Sequence, residues 1–198
     1  RRELEKYPGT LLADNLTAVY LMERISFYNN LGYAGTYFTG LKRVYLCFYP
    51  DNRKYSAQVL HKEFSSILFH RHAGSFPRDS WLQANAPDFS YGRGGKNAVA
   101  EGRASTRMGR DWFAQGFLYQ YATSALEEDF NSIAGNLFLP LPEFFTALRE
   151  SPRIRTKVKL ALRFYATLDP DLTPDQFNRL SGGRLSPLLD TTNNSPGN

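Results

Sequence analysis

The sequence predicts an α+β fold that is mainly helical, with a small β-sheet packed beside one central helix. The central helix is predicted over Val59–His72, where apolar residues recur at the spacing of helical turns. A mostly buried strand is predicted over Arg43–Tyr49, which is rich in β-prone residues and bounded by Gly40 and Pro50. With 198 residues, of which 42% are hydrophobic, the chain is long enough for one domain with a substantial core.

The segment before this strand is predicted to be a helix. Leu16–Tyr28 has a wide apolar face, and Asp14 or Asn15 can cap its first turn. Gly32 suits the left-handed position that follows the last turn of a helix. Ser56 is predicted to cap the central helix.

The segment after the central helix has a different composition. Ala73–Arg110 is rich in glycine and basic residues, which predicts a long irregular insertion. Connections of this length are usually functional or mobile. Trp81 and Phe89 are expected to pin its first half to the body of the domain. Its second half contains four candidate anion-binding residues: Arg93, Lys96, Arg103 and Arg107.

Further helices are predicted in the second half of the chain. Ser124 and Glu127 have the spacing of a capping box, so a helix with an apolar stripe should start there. The other predicted helices are Arg110–Ala122, Glu143–Arg149, Ile154–Leu168 and a short helix capped by Thr173. The domain is predicted to span residues 1–180. Residues 181–198 are predicted to form a flexible tail, because Gly, Ser, Pro, Asn and Thr dominate there.

Composition and charge exclude some classes of protein. The formal net charge of +5 permits an anionic partner, but no lysine-rich run is present, so we expect no nucleic-acid binding. Cys47 is the only cysteine, so no intrachain disulfide can form. No apolar run approaches the roughly 18 residues of a membrane helix, so no transmembrane segment is predicted. The oligomeric state does not follow from the sequence.

A carboxylate lies within the apolar stripe of the central helix. At about 100° per residue, Glu63 points between Val59 and Ile67. A carboxylate that faces a core is paired, protonated or functional, because burying an unpaired charge costs on the order of several kcal/mol. Pairing with an arginine or with backbone donors and a functional role are both open at this point.

Two segments together resemble a known pattern. His61–Leu68 and Tyr121–Phe130 resemble the motifs of the zinc-binding metallopeptidase lipoproteins of bacteria, and more distantly those of the lethal-factor type of zincin. In that family a His-Glu-x-x-His helix supplies two zinc ligands and a general base. A second helix supplies a carboxylate ligand, with a tyrosine seven residues before it. The resemblance covers roughly residues 16–138 and implies a zincin-like fold.

The resemblance implies roles for three residues and conflicts with the family at two positions. Glu63 matches the general base, Tyr121 the hydroxyl that stabilises the tetrahedral intermediate, and Glu128 the candidate metal ligand. Lys62 and Ser66 stand where the family has histidines, and neither replaces an imidazole as a zinc ligand. We therefore expect no bound cofactor, with zinc as the alternative. The simpler alternatives are a core aromatic for Tyr121 and a solvated helix face for Glu128.

Other residues do not rebuild the metal site. Neither His61 nor His70 can take a ligand position unless the helix breaks. Lys62 has a structural interpretation instead, because its ammonium can neutralise Glu63 and Glu128, which zinc would otherwise balance.

Three functions follow from these observations. The first is a zincin-like protein, inactive or retuned as a peptidase, whose cleft binds a peptide or a protein partner. The resemblance alone implies that such a protein is a lipoprotein exported to the periplasm or the outer-membrane surface. The second is an accessory or structural subunit of a larger assembly, which docks through the basic Gly-rich segment and the tail. The third, which the absence of a lysine-rich run disfavours, is phosphate or nucleic-acid binding by the basic residues of the insertion, where Tyr91–Asn97 lacks the pattern of a phosphate loop.

Overall fold

A small sheet forms one layer of the protein. The structure, a computed structural model, describes residues 1–27 and 31–190. The three-stranded sheet has the order β1-β5-β4, in which β1 is parallel and β4 antiparallel to β5. A separate antiparallel pair is formed by β2 and β3. The strands are β1 (Ala18–Met22), β2 (Ile25–Ser26), β3 (Gly32–Tyr33), β4 (Gly35–Phe38) and β5 (Arg43–Cys47).

Helices form the rest of the framework. They are α1 (Gly9–Asn15), α2 (Arg53–Arg71), α3 (Arg78–Gln83), α4 (Gly95–Ala100), α5 (Arg110–Gln115), α6 (Leu126–Phe138), α7 (Pro142–Glu150), α8 (Pro152–Leu168), α9 (Pro174–Leu180) and α10 (Leu185–Leu189). Short 3-10 turns occur at Leu4–Lys6, Pro50–Asn52, Ala73–Ser75 and Gln120–Thr123. The protein is therefore mainly helical with a small sheet, which confirms the α+β prediction. No helix within the described residues combines the length and the apolar character needed to cross a membrane.

The central helix α2 packs between the sheet and α6. Val44 and Leu46 of β5 are buried on the face that it covers, as expected for alternate residues of a strand. The predicted cap of this helix is wrong. The Asn52 side chain accepts from the Tyr55 N–H at 3.1 Å, whereas Ser56 Oγ accepts from the N–H of residue 49.

The helix predicted over Leu16–Tyr28 is wrong, because β1 and β2 occupy its place. Ala18–Met22 is rich in β-prone residues and pairs with β5 in a regular parallel register. The long-range pairing therefore outweighs the local apolar pattern. Asn15, a predicted N-cap, instead ends α1, and Gly32 lies in β3. Tyr28 lies outside the described residues.

The predicted insertion contains two short helices, α3 and α4, joined by irregular chain. Trp81 is fully buried and Phe89 packs against the core, which confirms that they pin this segment. The helix predicted to continue to Ala122 ends at Gln115, because Gly116 adopts the left-handed conformation with a φ of 90°.

The later helices follow their predictions closely, apart from one cap. α6 begins where predicted, but Ser124 forms no capping box, because its hydroxyl donates to the Tyr121 carbonyl. Thr173 caps α9 as predicted. The predicted tail is wrong as far as residue 190, since Leu185 and Leu189 of α10 are buried. Residues 191–198 lie outside the described residues.

Candidate functional site

A cavity of about 370 Å³ lies between α2, α6 and β4. The fourth wall is formed by residues 92–106, which we call the strap. All of the residues predicted from the motif resemblance line this cavity, namely Lys62, Glu63, Ser66, Tyr121 and Glu128. The structure therefore brings together residues from two motifs about 60 positions apart in the chain.

Helices α2 and α6 form the floor and run in opposite directions. The Gln58 side chain donates to the Leu139 carbonyl at 2.6 Å, near the start of α2 and the end of α6. At the opposite ends, His70 bonds Glu127 at 3.0 Å. These two contacts fix which α6 residue faces each turn of α2.

Glu63 lies beneath the edge strand of the sheet. A Cβ added at Gly35 would lie 2.8 Å from Glu63 Oε1 and 2.5 Å from Val59 Cγ1, so β4 approaches the helix this closely only because residue 35 is glycine. Among the described residues, no donor hydrogen-bonds to the Glu63 carboxylate. Burial, and then the charge of Glu128, raises its pKa well above the usual range, while Lys62 opposes this shift.

Glu128 is held by Tyr121, whose hydroxyl donates to Glu128 Oε1 at 2.9 Å. Gly95 of the strap covers this pair, since a Cβ there would lie 2.6 Å from the same oxygen. Burial, and then the charge of Glu127, raises the pKa of Glu128 to about 7, against the Tyr121 hydrogen bond and the charge of Lys62. Glu128 therefore faces the cavity and not a solvated helix face.

Lys62 lies near these carboxylates without an ion pair to either. Among the described residues, its ammonium has no hydrogen bond and no carboxylate oxygen within 4.0 Å. Its Nζ lies 4.9 Å from the centroid of the Tyr119 ring, and its stem packs along Gly135 of α6. Burial lowers its pKa, and the charges of Tyr55, Glu128 and Glu63 oppose this shift. Lys62 therefore acts on the charges of Glu63 and Glu128 from a distance, and it forms no direct ion pair with either carboxylate.

The Ser66 hydroxyl is hydrogen-bonded to a side chain of α6. The Asn131 side-chain amide donates to Ser66 Oγ at 2.7 Å, and both residues are buried. The other amide atom, Asn131 Oδ1, has no hydrogen-bond partner among the described residues. This pair fills the position where the resembling family has its second histidine.

The donor set does not fit a catalytic zinc ion. The histidines bond other partners: His61 bonds Tyr7 and Glu3, His70 bonds Tyr37 and Glu127, and His72 bonds Asn15. Within residues 1–27 and 31–190, no group of three or more His, Cys, Asp and Glu side chains is placed to hold a metal. Lys62 is a cation and Ser66 is engaged, so neither supplies the missing ligand.

Backbone hydrogen bonds attach the strap to the segment before α6. The N–H groups of Gly92 and Gly94 donate to the carbonyls of Thr123 and Ser124 at 3.0 and 2.9 Å. The Tyr121 N–H donates to the strap carbonyl at position 105. The strap is therefore a fixed wall of the cavity, positioned beside Glu128.

A buried carboxylate next to Glu128 anchors the chain that leads into the strap. Asp129 Oδ2 accepts from Lys157 Nζ at 2.7 Å, Trp81 Nε1 at 3.0 Å and the Tyr91 hydroxyl at 2.6 Å. Asp129 and Lys157 are both almost fully buried. No motif singled out this network, because its members lie far apart in sequence.

The candidate anion-binding residues do not converge on one site. Arg93 and Arg103 both pair with Glu101, and the Arg103 hydrogen bond is the main reason that the pKa of Glu101 is lowered. Arg107 is exposed. Of the four, only Lys96 lines the cavity, and its ammonium lies over the Phe27 ring.

The cavity also contains residues for which the sequence offers no motif. Gly35, Tyr37, Gly95 and Asn131 line it, and only their contacts across the fold reveal their positions. No protein-family model, no curated protein and no solved structure matches the chain. The function is therefore inferred from the cavity and its walls.

Proposed function

We propose that the chain is a zincin-like protein that binds an extended peptide segment in this cavity without a catalytic zinc ion. The observation that carries the proposal is the position of β4. It is an edge strand of the sheet, and it borders the same cavity that holds Lys62, Glu63, Tyr121 and Glu128.

The open edge of β4 offers backbone groups to a ligand. The Cys47 N–H donates to the Ala34 carbonyl at 2.8 Å, and the register of β4 and β5 is regular. In an antiparallel ladder, residues alternate between bonding the partner strand and facing away from it. The N–H and C=O groups of Gly35 and Tyr37 therefore point to the open edge, where an added strand can pair with them.

The chemistry of the cavity favours binding over hydrolysis. Among the described residues, no donor hydrogen-bonds to the Glu63 carboxylate, and burial raises its pKa well above its usual range. The two positions that would hold the metal carry Lys62 and Ser66. What supports the zincin-like assignment is the convergence of Glu63, Tyr121 and Glu128 on one cavity beside a sheet edge.

A peptide-display selection on the purified protein tests the proposal. We expect the protein to enrich peptides whose binding is unchanged by a metal chelator. Gly95→Ala should abolish that binding, because the added Cβ meets Glu128 and Tyr121 inside the cavity. Gly74→Ala is the matched control, since a Cβ at Gly74 meets nothing within 4 Å.

Two outcomes would contradict the proposal. The first is a selection that enriches no peptide. The second is a set of peptides that bind the Gly95→Ala and Gly74→Ala variants equally well, which would place their site elsewhere on the protein.

The accessory-subunit alternative stays a prediction. It requires the basic Gly-rich segment to be available to a partner. The strap within that segment bonds the protein's own backbone through Gly92 and Gly94, so the cavity is the better supported site.

A further inference from the structure

The cavity is electrically polar along the axis of α2. At the end near the C-terminus of α2, Glu127 lines the wall and bonds His70. Toward the N-terminus of α2, Lys62 lines the wall beside Tyr55. Glu63, the next residue along α2, and Glu128 also line the cavity, and their charges act on Lys62. A ligand that runs along the cavity therefore meets Glu127 at one end and, toward the other, an ammonium with acidic neighbours.

Two lysines, Lys62 and Lys96, line the cavity, and Lys62 is the one that projects from the α2 floor. Among the described residues, its Nζ has no hydrogen bond and no carboxylate oxygen within 4.0 Å, and the side chain lines the cavity. Two of the acidic side chains already have hydrogen-bond partners, since Glu128 accepts from Tyr121 and Glu127 bonds His70. An ammonium in a partly desolvated site that makes no direct ion pair is stabilised by an anion that contacts it.

The direction of β4 orients a peptide that pairs with it. Gly35 lies against Glu63, and Tyr37, two residues later, bonds and stacks on His70. β4 therefore runs from the Lys62 end of the cavity toward the Glu127 end. A strand added in the antiparallel sense runs the opposite way, so its C-terminal end lies at Lys62. Antiparallel pairs are also the commoner kind in sheets.

We propose that Lys62 binds a carboxylate at the C-terminal end of a peptide that docks antiparallel on the open edge of β4. This inference rests on the proposed function and adds the chemistry of its ligand. This direction suits the charges of the cavity, because the Glu127 end receives the amino-terminal side of the peptide and the Lys62 ammonium receives the carboxylate. The carboxylate belongs either to the chain terminus or to an acidic side chain, and both use the same contact.

Capture of synthetic peptides by the full chain tests the proposal. Two libraries of short N-acetylated peptides are compared, one with free C-terminal carboxylates and one with C-terminal carboxamides. Binding is measured for the wild type and for Lys62→Met, which keeps the stem and removes the charge. Lys62→Arg tests rescue of the charge, and Lys54→Met on the exposed side of the same helix is the matched control.

The expected result is that Lys62→Met weakens capture by at least about tenfold, the effect of losing a hydrogen bond to a charged group. Lys62→Arg should retain part of the binding and Lys54→Met all of it. Capture restricted to the free-acid library identifies the chain terminus, whereas capture of carboxamides with Asp or Glu at one position identifies a side chain.

Failure of this inference differs from failure of the proposed function. Peptides that bind equally with and without any carboxylate, or that bind Lys62→Met as well as the wild type, would overturn the role of Lys62 while leaving peptide binding intact. Capture of no peptide from either library would overturn both.

Discussion

The buried ion pair between Asp129 and Lys157 is expected to be the most sensitive point of the structure. Asp129→Asn keeps the shape of the side chain but leaves the Lys157 ammonium without a counter-ion. Its remaining hydrogen-bond partner is the Gly116 carbonyl, 2.9 Å away. Breaking one side of a buried pair costs about 3–5 kcal/mol, a large part of the roughly 5–15 kcal/mol that stabilises a domain.

A second variant makes the comparison quantitative. Tyr91→Phe removes the hydrogen bond to the same carboxylate, together with the one that the hydroxyl accepts from Asn85, and leaves the ion pair in place, so it should cost about 1.5–3 kcal/mol. It should also loosen the chain leading into the strap. The exposed Asp88 provides a control, since Asp88→Asn should change the free energy of unfolding by less than about 0.5 kcal/mol.

Equilibrium unfolding in urea, followed by circular dichroism, measures these differences. Amide hydrogen exchange of Tyr91→Phe reports opening of the strap separately from global unfolding. An Asp129→Asn variant that is less destabilised than Tyr91→Phe would show that the ion pair contributes less to stability than the Tyr91 hydroxyl. Unchanged exchange at the strap in Tyr91→Phe would refute the anchoring role of this network.

Three further predictions concern pH and metal. Hydrogen bonding by the buried His61 lowers the pKa of Glu3 to about 2. The ionised Glu3 should therefore stabilise the fold fully above about pH 4.5, and this contribution should disappear as the pH falls toward 2. Glu3→Gln should flatten that acid limb in unfolding measurements. The pKa of Glu128 is raised to about 7, so ionising this side chain should lower the free energy of unfolding as the pH rises from about 4.5 through 7. Glu128→Gln should reduce that loss. A protein carrying both Lys62→His and Ser66→His should bind about one zinc ion per chain by elemental analysis, and no zinc would argue against the zincin-like arrangement.

Sequence reasoning predicted the helices more reliably than the strands. The pattern around α2 is local, because its apolar residues repeat within a few turns, and Thr173 caps α9 through contacts three residues away. The stretch that forms β1 is also apolar, but its conformation depends on pairing with Arg43–Cys47, about 25 positions later. No local pattern records such a partner.

The candidate site shows the same difference between residues marked by a local pattern and residues placed by long-range contacts. Glu63, Tyr121 and Glu128 were identified because each lies in a motif with a fixed spacing. Asn131 and Gly95 were missed, since their relevance depends on which chain segment passes over them. The position of Lys62 was identified correctly, but its lack of a direct ion pair follows only from the path of its side chain along α6.

Amide hydrogen exchange of the protein with and without a peptide from the selection tests whether the peptide pairs with β4. We expect the peptide to slow exchange at Gly35 and Tyr37, whose N–H groups face the open edge of β4. Thr36 and Phe38 should change little, because they already bond β5. Protection confined to another surface, such as the exposed edge of β1, would contradict peptide binding in this cavity.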